Sequence, residues 1–109
     1  MGIDYRAVLG IGVVVDTKYD VVEFLGDNGL LSDQELEYIE ENGVTEYEHD
    51  SGIEVIGLNT YTGYGFFIGY EFNPFNPETF VDKVNTAISD WKRYLPDVES
   101  RIVHTVKVY

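Results

Sequence analysis

Arg6 to Val15 reads RAVLGIGVVV and is apolar at both parities. A strand with one solvated face alternates, whereas one covered on both sides runs apolar throughout, so this stretch predicts a central strand. One parity carries Ala7, Leu9, Ile11, Val13 and Val15, the other Arg6, Val8, Gly10, Gly12 and Val14. Glycine weakens a strand interior, so Gly10 and Gly12 imply close approach of a helix, a neighbouring backbone or a ligand. Thr17 with Asp20, and Ser32 with Glu35, are two capping boxes. They open helices over Lys18–Leu25 and Asp33–Asn42, which Gly26 and Gly43 are expected to end. Leu31 can staple to Leu36 at the start of the second helix, whose inward positions are Leu36 and Ile39.

Val44–His49 alternates, with Glu46 and Glu48 on one face, and predicts a short strand ending in a turn at Asp50-Ser51-Gly52. Ile53–Leu58 and Tyr64–Phe72 are two more strands, joined by a loop at Asn59–Gly63. In the latter, Tyr64, Phe66, Ile68, Tyr70 and Phe72 share the face expected to meet the helices. Gly65, Phe67, Gly69 and Glu71 share the other. Asn76 caps a helix that opens at Pro77 and runs to Leu95, with Phe80, Val84, Ile88, Trp91 and Leu95 along one stripe. Arg101–Tyr109 alternates again and predicts the last strand.

The order β-α-(α)-β-β-β-α-β becomes the ferredoxin-like β-α-β-β-α-β once Val44–His49 is set aside as an accessory strand. The expectation is one α+β domain over residues 1–109: an antiparallel sheet with helices on one face and the first strand in its middle. The glycine-bearing parity then leaves Val8, Val14 and Phe67 on a bare apolar face, so a homodimer through that face is expected.

Charge changes the picture more than composition does. The formal net charge is −13. From Tyr19 to Asp82 there is no Lys or Arg, yet this stretch holds 15 of the 20 acids; the remainder holds 5 acids and all 7 bases. Such a charge opposes direct contact with nucleic acid or an anionic membrane and attracts basic partners. The absence of Cys excludes disulfides, thiolate zinc sites and a Cys nucleophile, and fits a reducing, cytoplasmic setting. The apolar run near the start follows Asp4 and lacks the basic opening of a signal peptide, and no stretch has the length of a membrane helix.

Catalytic chemistry finds no foothold in the sequence. Asn28–Glu35 resembles the second half of a calcium-binding EF-hand loop, but its first and third ligand positions would be Phe24 and Gly26, which cannot coordinate. His49 and His104 lack the spacing of a metal pair; a solvated turn residue and a strand residue describe them better. Gly10-Ile11-Gly12 is followed by no Gly-Lys-Ser/Thr, so it is not a phosphate loop. The aromatics of Tyr64–Phe72 invite comparison with RNA-stacking sheets, which the net charge opposes. No enzymatic activity and no cofactor are expected.

What remains is the acidic surface. Asp33, Glu37 and Glu41 recur at i, i+4 and Glu40 joins them, while Glu46, Glu48 and Asp50 follow in the next segment. Like charges at this spacing cost a helix about 0.2–0.5 kcal/mol per pair. Four helical residues rise about 6 Å and two strand residues about 6.7 Å, against about 6.8 Å for two nucleotide steps of one DNA strand. These seven residues are therefore expected to imitate a phosphate backbone toward a basic, nucleic-acid-binding protein. In class and composition the chain is similar to the phage-encoded inhibitors of host nucleic-acid enzymes, the anti-restriction and anti-CRISPR proteins. That resemblance implies an inhibitor or regulator and carries no individual residue. Two other readings stand beside it: an oligomeric small-molecule or nucleotide-binding protein using the Gly10/Gly12 and Gly65/Gly69 surface, and a structural or assembly subunit.

Overall fold

The computed structural model describes residues 4–43, 47–59, 62–72 and 77–108. Strand β1 (Tyr5–Val15) is followed by helices α1 (Lys18–Asp27) and α2 (Asp33–Asn42). Strands β2 (Glu54–Asn59) and β3 (Tyr64–Glu71), helix α3 (Pro77–Tyr94) and strand β4 (Arg101–Val108) complete the α+β order. β1 is central, as its two apolar parities require. Its second half pairs antiparallel with β3, Gly10 opposite Glu71 through Val15 opposite Phe66. Its first half pairs antiparallel with β4, Tyr5 opposite Val108 through Gly12 opposite Arg101. β2 pairs antiparallel with β3.

The sheet is not the open one expected. Among the described residues one parallel pair, Asn59 with Val108, joins β2 to β4, and the sheet closes as a barrel in the order β1-β3-β2-β4. Glycines permit the curl. A Cβ on Gly12 would run into the carbonyl oxygen of Ile68, one on Gly10 into that of Tyr70, and one on Gly69 into that of Ile11. Gly12 and Gly69 stand opposite each other in register. Gly69 also has φ +154°, a conformation that L side chains rarely adopt. It is thus the backbone of β3 that approaches Gly10 and Gly12. These buried glycines face a neighbouring strand.

Closure also alters the face expected to be bare. Val8 and Phe67 are fully buried, packed inside the curl with Ile56 and Leu58, and only Val14 of the three expected residues is exposed. The apolar area that suggested a dimer is covered from within the chain. The other face of the sheet meets the helices. Phe66 and Ile68 join Val21, Leu25, Ile39, Trp91 and Leu95 in the main core, while Ile11 and Phe72 pack on Ala87. Tyr64 departs from its parity and is exposed at the strand start. α3 covers this face as far as Ile11. Beyond it, the outer side of the β1–β4 ribbon leaves Tyr5, Ile102 and Val106 exposed, with Ala7 and His104 between them.

Both capping boxes form, at Thr17–Asp20 and Ser32–Glu35. Gly26 does not end α1. Asn28 does, its side-chain amide donating to the Phe24 carbonyl at 2.8 Å, while Gly29 turns the chain at φ +70°. Of the accessory strand Val44–His49, the described residues 47–49 carry an isolated bridge between Glu48 and Glu54, and the His49–Ile53 turn follows it. Its start, Val44–Glu46, lies outside the described residues, as do the proposed cap Asn76 and the terminal Tyr109.

Trp91 is 1% exposed, and its indole N–H donates to the Val98 carbonyl at 2.9 Å, tying α3 to the connection into β4. Trp91→Ala is expected to lower stability by roughly 3–5 kcal/mol in denaturant unfolding. A loss below about 1 kcal/mol would contradict this packing.

Candidate functional site: an acidic helix between two clefts

α2 is fixed at its start and along one side. The Ser32 hydroxyl accepts from the Glu35 amide and the Glu35 carboxylate accepts from the Ser32 amide, each at 3.2 Å. Ile39 is buried and Leu36 half-buried, which anchors the apolar side. The opposite side is thereby committed to solvent. Asp33, Glu37, Glu40 and Glu41 are all exposed, and α2 contains no Lys or Arg. Glu35 takes no part in this row, since its carboxylate is engaged by the cap.

The remaining expected acids divide. Glu48 comes beside α2, but on its Tyr38 side, across a hollow of about 400 Å³ lined by Gln34, Glu35, Tyr38 and Tyr47. Asp50 is exposed in the following turn. Glu46 lies outside the described residues. Tyr47 pins this loop: it is buried, and its hydroxyl donates to the Leu30 carbonyl in the α1–α2 connection. Burial first, then the nearby charges of Glu35 and Asp50, hold that hydroxyl protonated well above the usual tyrosine range.

On its other flank α2 forms a second cleft with α1, of about 460 Å³. Val22, Leu36 and Ile39 line it, with Glu23 and Glu40 among its polar walls and Tyr19 at its rim. Glu40 thus belongs both to the acidic row and to the cleft. Tyr19 and Glu23 were not singled out in the sequence. Their signal was there, since 18, 19, 22 and 23 share one helical face, but only the position of α2 shows what that face meets.

Glu54 lies within the acidic zone of the sequence but belongs to a different place. It stands opposite Gly69 on the inner side of the curl, where Arg6 donates to Glu71 at 2.7 Å. Burial, then the charges of Glu71 and Glu48, raise its pKa above the usual carboxylate value, and Arg6 partly opposes them.

His49 is a turn residue but not a solvated one. Its Nδ1 accepts from the Ser51 amide at 3.1 Å, and the ring packs edge-on against Tyr94. His104 is exposed on β4. Among the described residues no group of three His, Asp or Glu is placed to hold a metal ion, and no helix is long and apolar enough to cross a membrane. Comparison of the chain with known protein families, curated proteins and solved structures finds no match.

The raised Glu54 pKa has a definite sign. Folding prefers the protonated carboxyl, so this group's contribution is complete below the ordinary carboxylate pKa and is lost as pH rises through the folded value. Glu54→Gln should therefore raise the thermal midpoint at pH 7, and the gain should vanish at pH values where Glu54 is protonated in both states. An equal gain at every pH would refute this account.

Proposed function

We propose that this is a non-enzymatic binding protein, an inhibitor or regulator that engages a basic, nucleic-acid-binding protein through a phosphate-imitating carboxylate surface. Asp33, Glu37, Glu40 and Glu41 form its centre, with Glu48 and Asp50 beside it and Glu46 assigned from sequence alone. The carrying observation is the exposed carboxylate row on a helix that holds no counter-charge. The helix's own stability does not account for it. α3 places Glu78 in its first turn and Lys92 and Arg93 in its last, the arrangement that complements the helix dipole. α2, like α1 with Asp27, departs from this: it carries Glu40 and Glu41 in its last turn, with no base there. The chain order supports reading the scaffold as a ferredoxin-like one rolled shut. The phage-inhibitor class is the one that this charge and size fit best.

Glu37→Lys with Glu41→Lys tests the reading. Like-charge pairs disappear, so thermal stability should hold or rise slightly. Affinity for the partner captured from the native host should fall sharply, and wild-type affinity should decline steadily as salt rises. An affinity indifferent to both the double substitution and salt would overturn the proposal.

A second reading, a self-associating subunit, is favoured by the outer side of the β1–β4 ribbon. Ile102 is 74% exposed and Tyr5 67%, with no carboxylate among Tyr5, Ala7, Ile102, His104 and Val106. Two chains of net charge −13 repel, so association through an uncharged face should strengthen with salt, opposite in sign to binding a basic partner. Light scattering should then show dimer mass growing with salt, abolished by Ile102→Lys with Val106→Lys. Monomer mass at high micromolar concentration in high salt would exclude it.

A further inference from the structure

The acidic row explains attraction to a basic surface but gives no use for the cleft beside it. A phosphate backbone is charged and offers no apolar side chain, so a protein that only imitated it would not need an apolar hollow next to its carboxylates. The α1–α2 cleft is such a hollow. Its position follows from the way the two helices are tied together. The Leu30 amide bonds to the Leu25 carbonyl at 2.9 Å, and Leu30 is buried at the turn between them. Val21 and Leu25 of α1 go to the main core with Ile39 of α2. Val22 and Leu36 are left half-buried, lining a space of about 460 Å³ between the helices.

We propose that this cleft takes an apolar side chain carried on a basic segment of the protein partner. The inference rests on the reading of the acidic face given above and names the chemistry of what that face meets. Three features point to it. The lining is apolar, and the volume falls within the range of about 300–1,000 Å³ typical of clefts that hold ligand groups. The walls are anionic: Glu23 comes from α1 and Glu40 from α2, and Glu40 is continuous with exposed Glu37 and Glu41, against the single cation Lys18. At the rim, Tyr19 is 74% exposed and already carries a cation near its ring, Lys18 Nζ lying 5.5 Å from the centroid. An apolar hollow walled by carboxylates and rimmed by an aromatic ring selects a Leu, Ile or Phe flanked by Lys or Arg. It rejects a neutral apolar segment, which leaves the carboxylates uncompensated, and a purely basic one, which leaves the hollow unfilled.

Three capped synthetic peptides of equal length separate these terms. One carries Leu at i, i+3, i+4 and i+7 with Lys elsewhere. The second replaces each Leu by Ser, and the third replaces each Lys by Gln. Each is titrated into the full chain by calorimetry and by methyl-resolved NMR. The Leu/Lys peptide should bind at least tenfold tighter than Ser/Lys, shift the methyls of Val22, Leu36 and Ile39, and keep part of its affinity at high salt. Val22→Ser should remove the tenfold advantage without changing Ser/Lys binding. Tyr19→Ala, at a position too exposed to carry the fold, should weaken Leu/Lys binding several-fold with the melting temperature unchanged. Equal binding of Ser/Lys and Leu/Lys, with the three methyls unmoved, would overturn the cleft proposal and leave the acidic-face reading standing. Equal binding of Leu/Gln and Leu/Lys would overturn both, because charge would then contribute nothing, and so would no binding by any of the three.

Discussion

The contact between β1 and β3 at Gly10, Gly12 and Gly69 is the constraint on which the rest of the structure depends. Two strands in an ordinary ladder keep their side chains clear of each other's carbonyl oxygens. Here the strands cross so closely that a Cβ at any of these three positions would strike one. The closeness bends the sheet. The bend brings Asn59 of β2 to Val108 of β4 and folds Val8, Ile56, Leu58 and Phe67 inward on one another. A sheet of four strands thus buries much of both faces, one under helices and one inside its own curl, and leaves the outer side of the β1–β4 ribbon exposed. All three glycines are therefore needed where the two strands approach.

Much of this was legible in the sequence, for reasons that are local. A capping box is written within four residues, so both appear where Thr17–Asp20 and Ser32–Glu35 predict them. The doubly apolar run of β1 needs only the rule that buried faces are apolar, and β1 is paired on both sides. The Trp91 stripe likewise follows from helical period alone. What was not legible depends on which strand stands behind which. The spacing of Gly10 and Gly12 signals a close approach but not its partner, and only the register with Gly69 makes it a curl. Nor does the sequence show what surrounds Glu54. Its neighbours in space are Glu48, which is close in sequence, and Glu71 and Arg6, which come from distant strands at the inner side of the barrel. Gly26 was misread as a stop because a glycine is a weaker signal than an Asn side chain that bonds back to the Phe24 carbonyl.

The acidic row was legible, but its setting was not. Sequence places Asp33, Glu37, Glu40 and Glu41 on one helix face. It cannot place the Tyr38–Tyr47 hollow on one flank or the Val22–Leu36 cleft on the other. The setting matters because a carboxylate array alone is equally consistent with a surface that merely keeps the protein soluble.

The three helices place their end charges differently. A surface selected for solubility alone is free to choose where its acids go, and an acid in the first turn of a helix is favourable while one in the last turn is not. α3 follows this economy at both ends, with Glu78 at its start and Lys92 and Arg93 at its finish. α2 follows it at the start, with Asp33 and Glu35, and breaks it at the end. Each charge–dipole interaction amounts to about 0.3–1 kcal/mol, and like-charge pairs at i, i+4 add about 0.2–0.5 kcal/mol each. Against a typical domain stability of about 5–15 kcal/mol these are not negligible. One Lys near the end of α2 would relieve both and keep the protein strongly acidic. The helix keeps Glu40 and Glu41 instead, and Glu40 is the residue shared with the apolar cleft. α1 likewise ends on Asp27 with no base in its last turn, so the cost is shared by the two adjoining helices, and what sets α2 apart is its exposed like-charge row of Asp33, Glu37, Glu40 and Glu41.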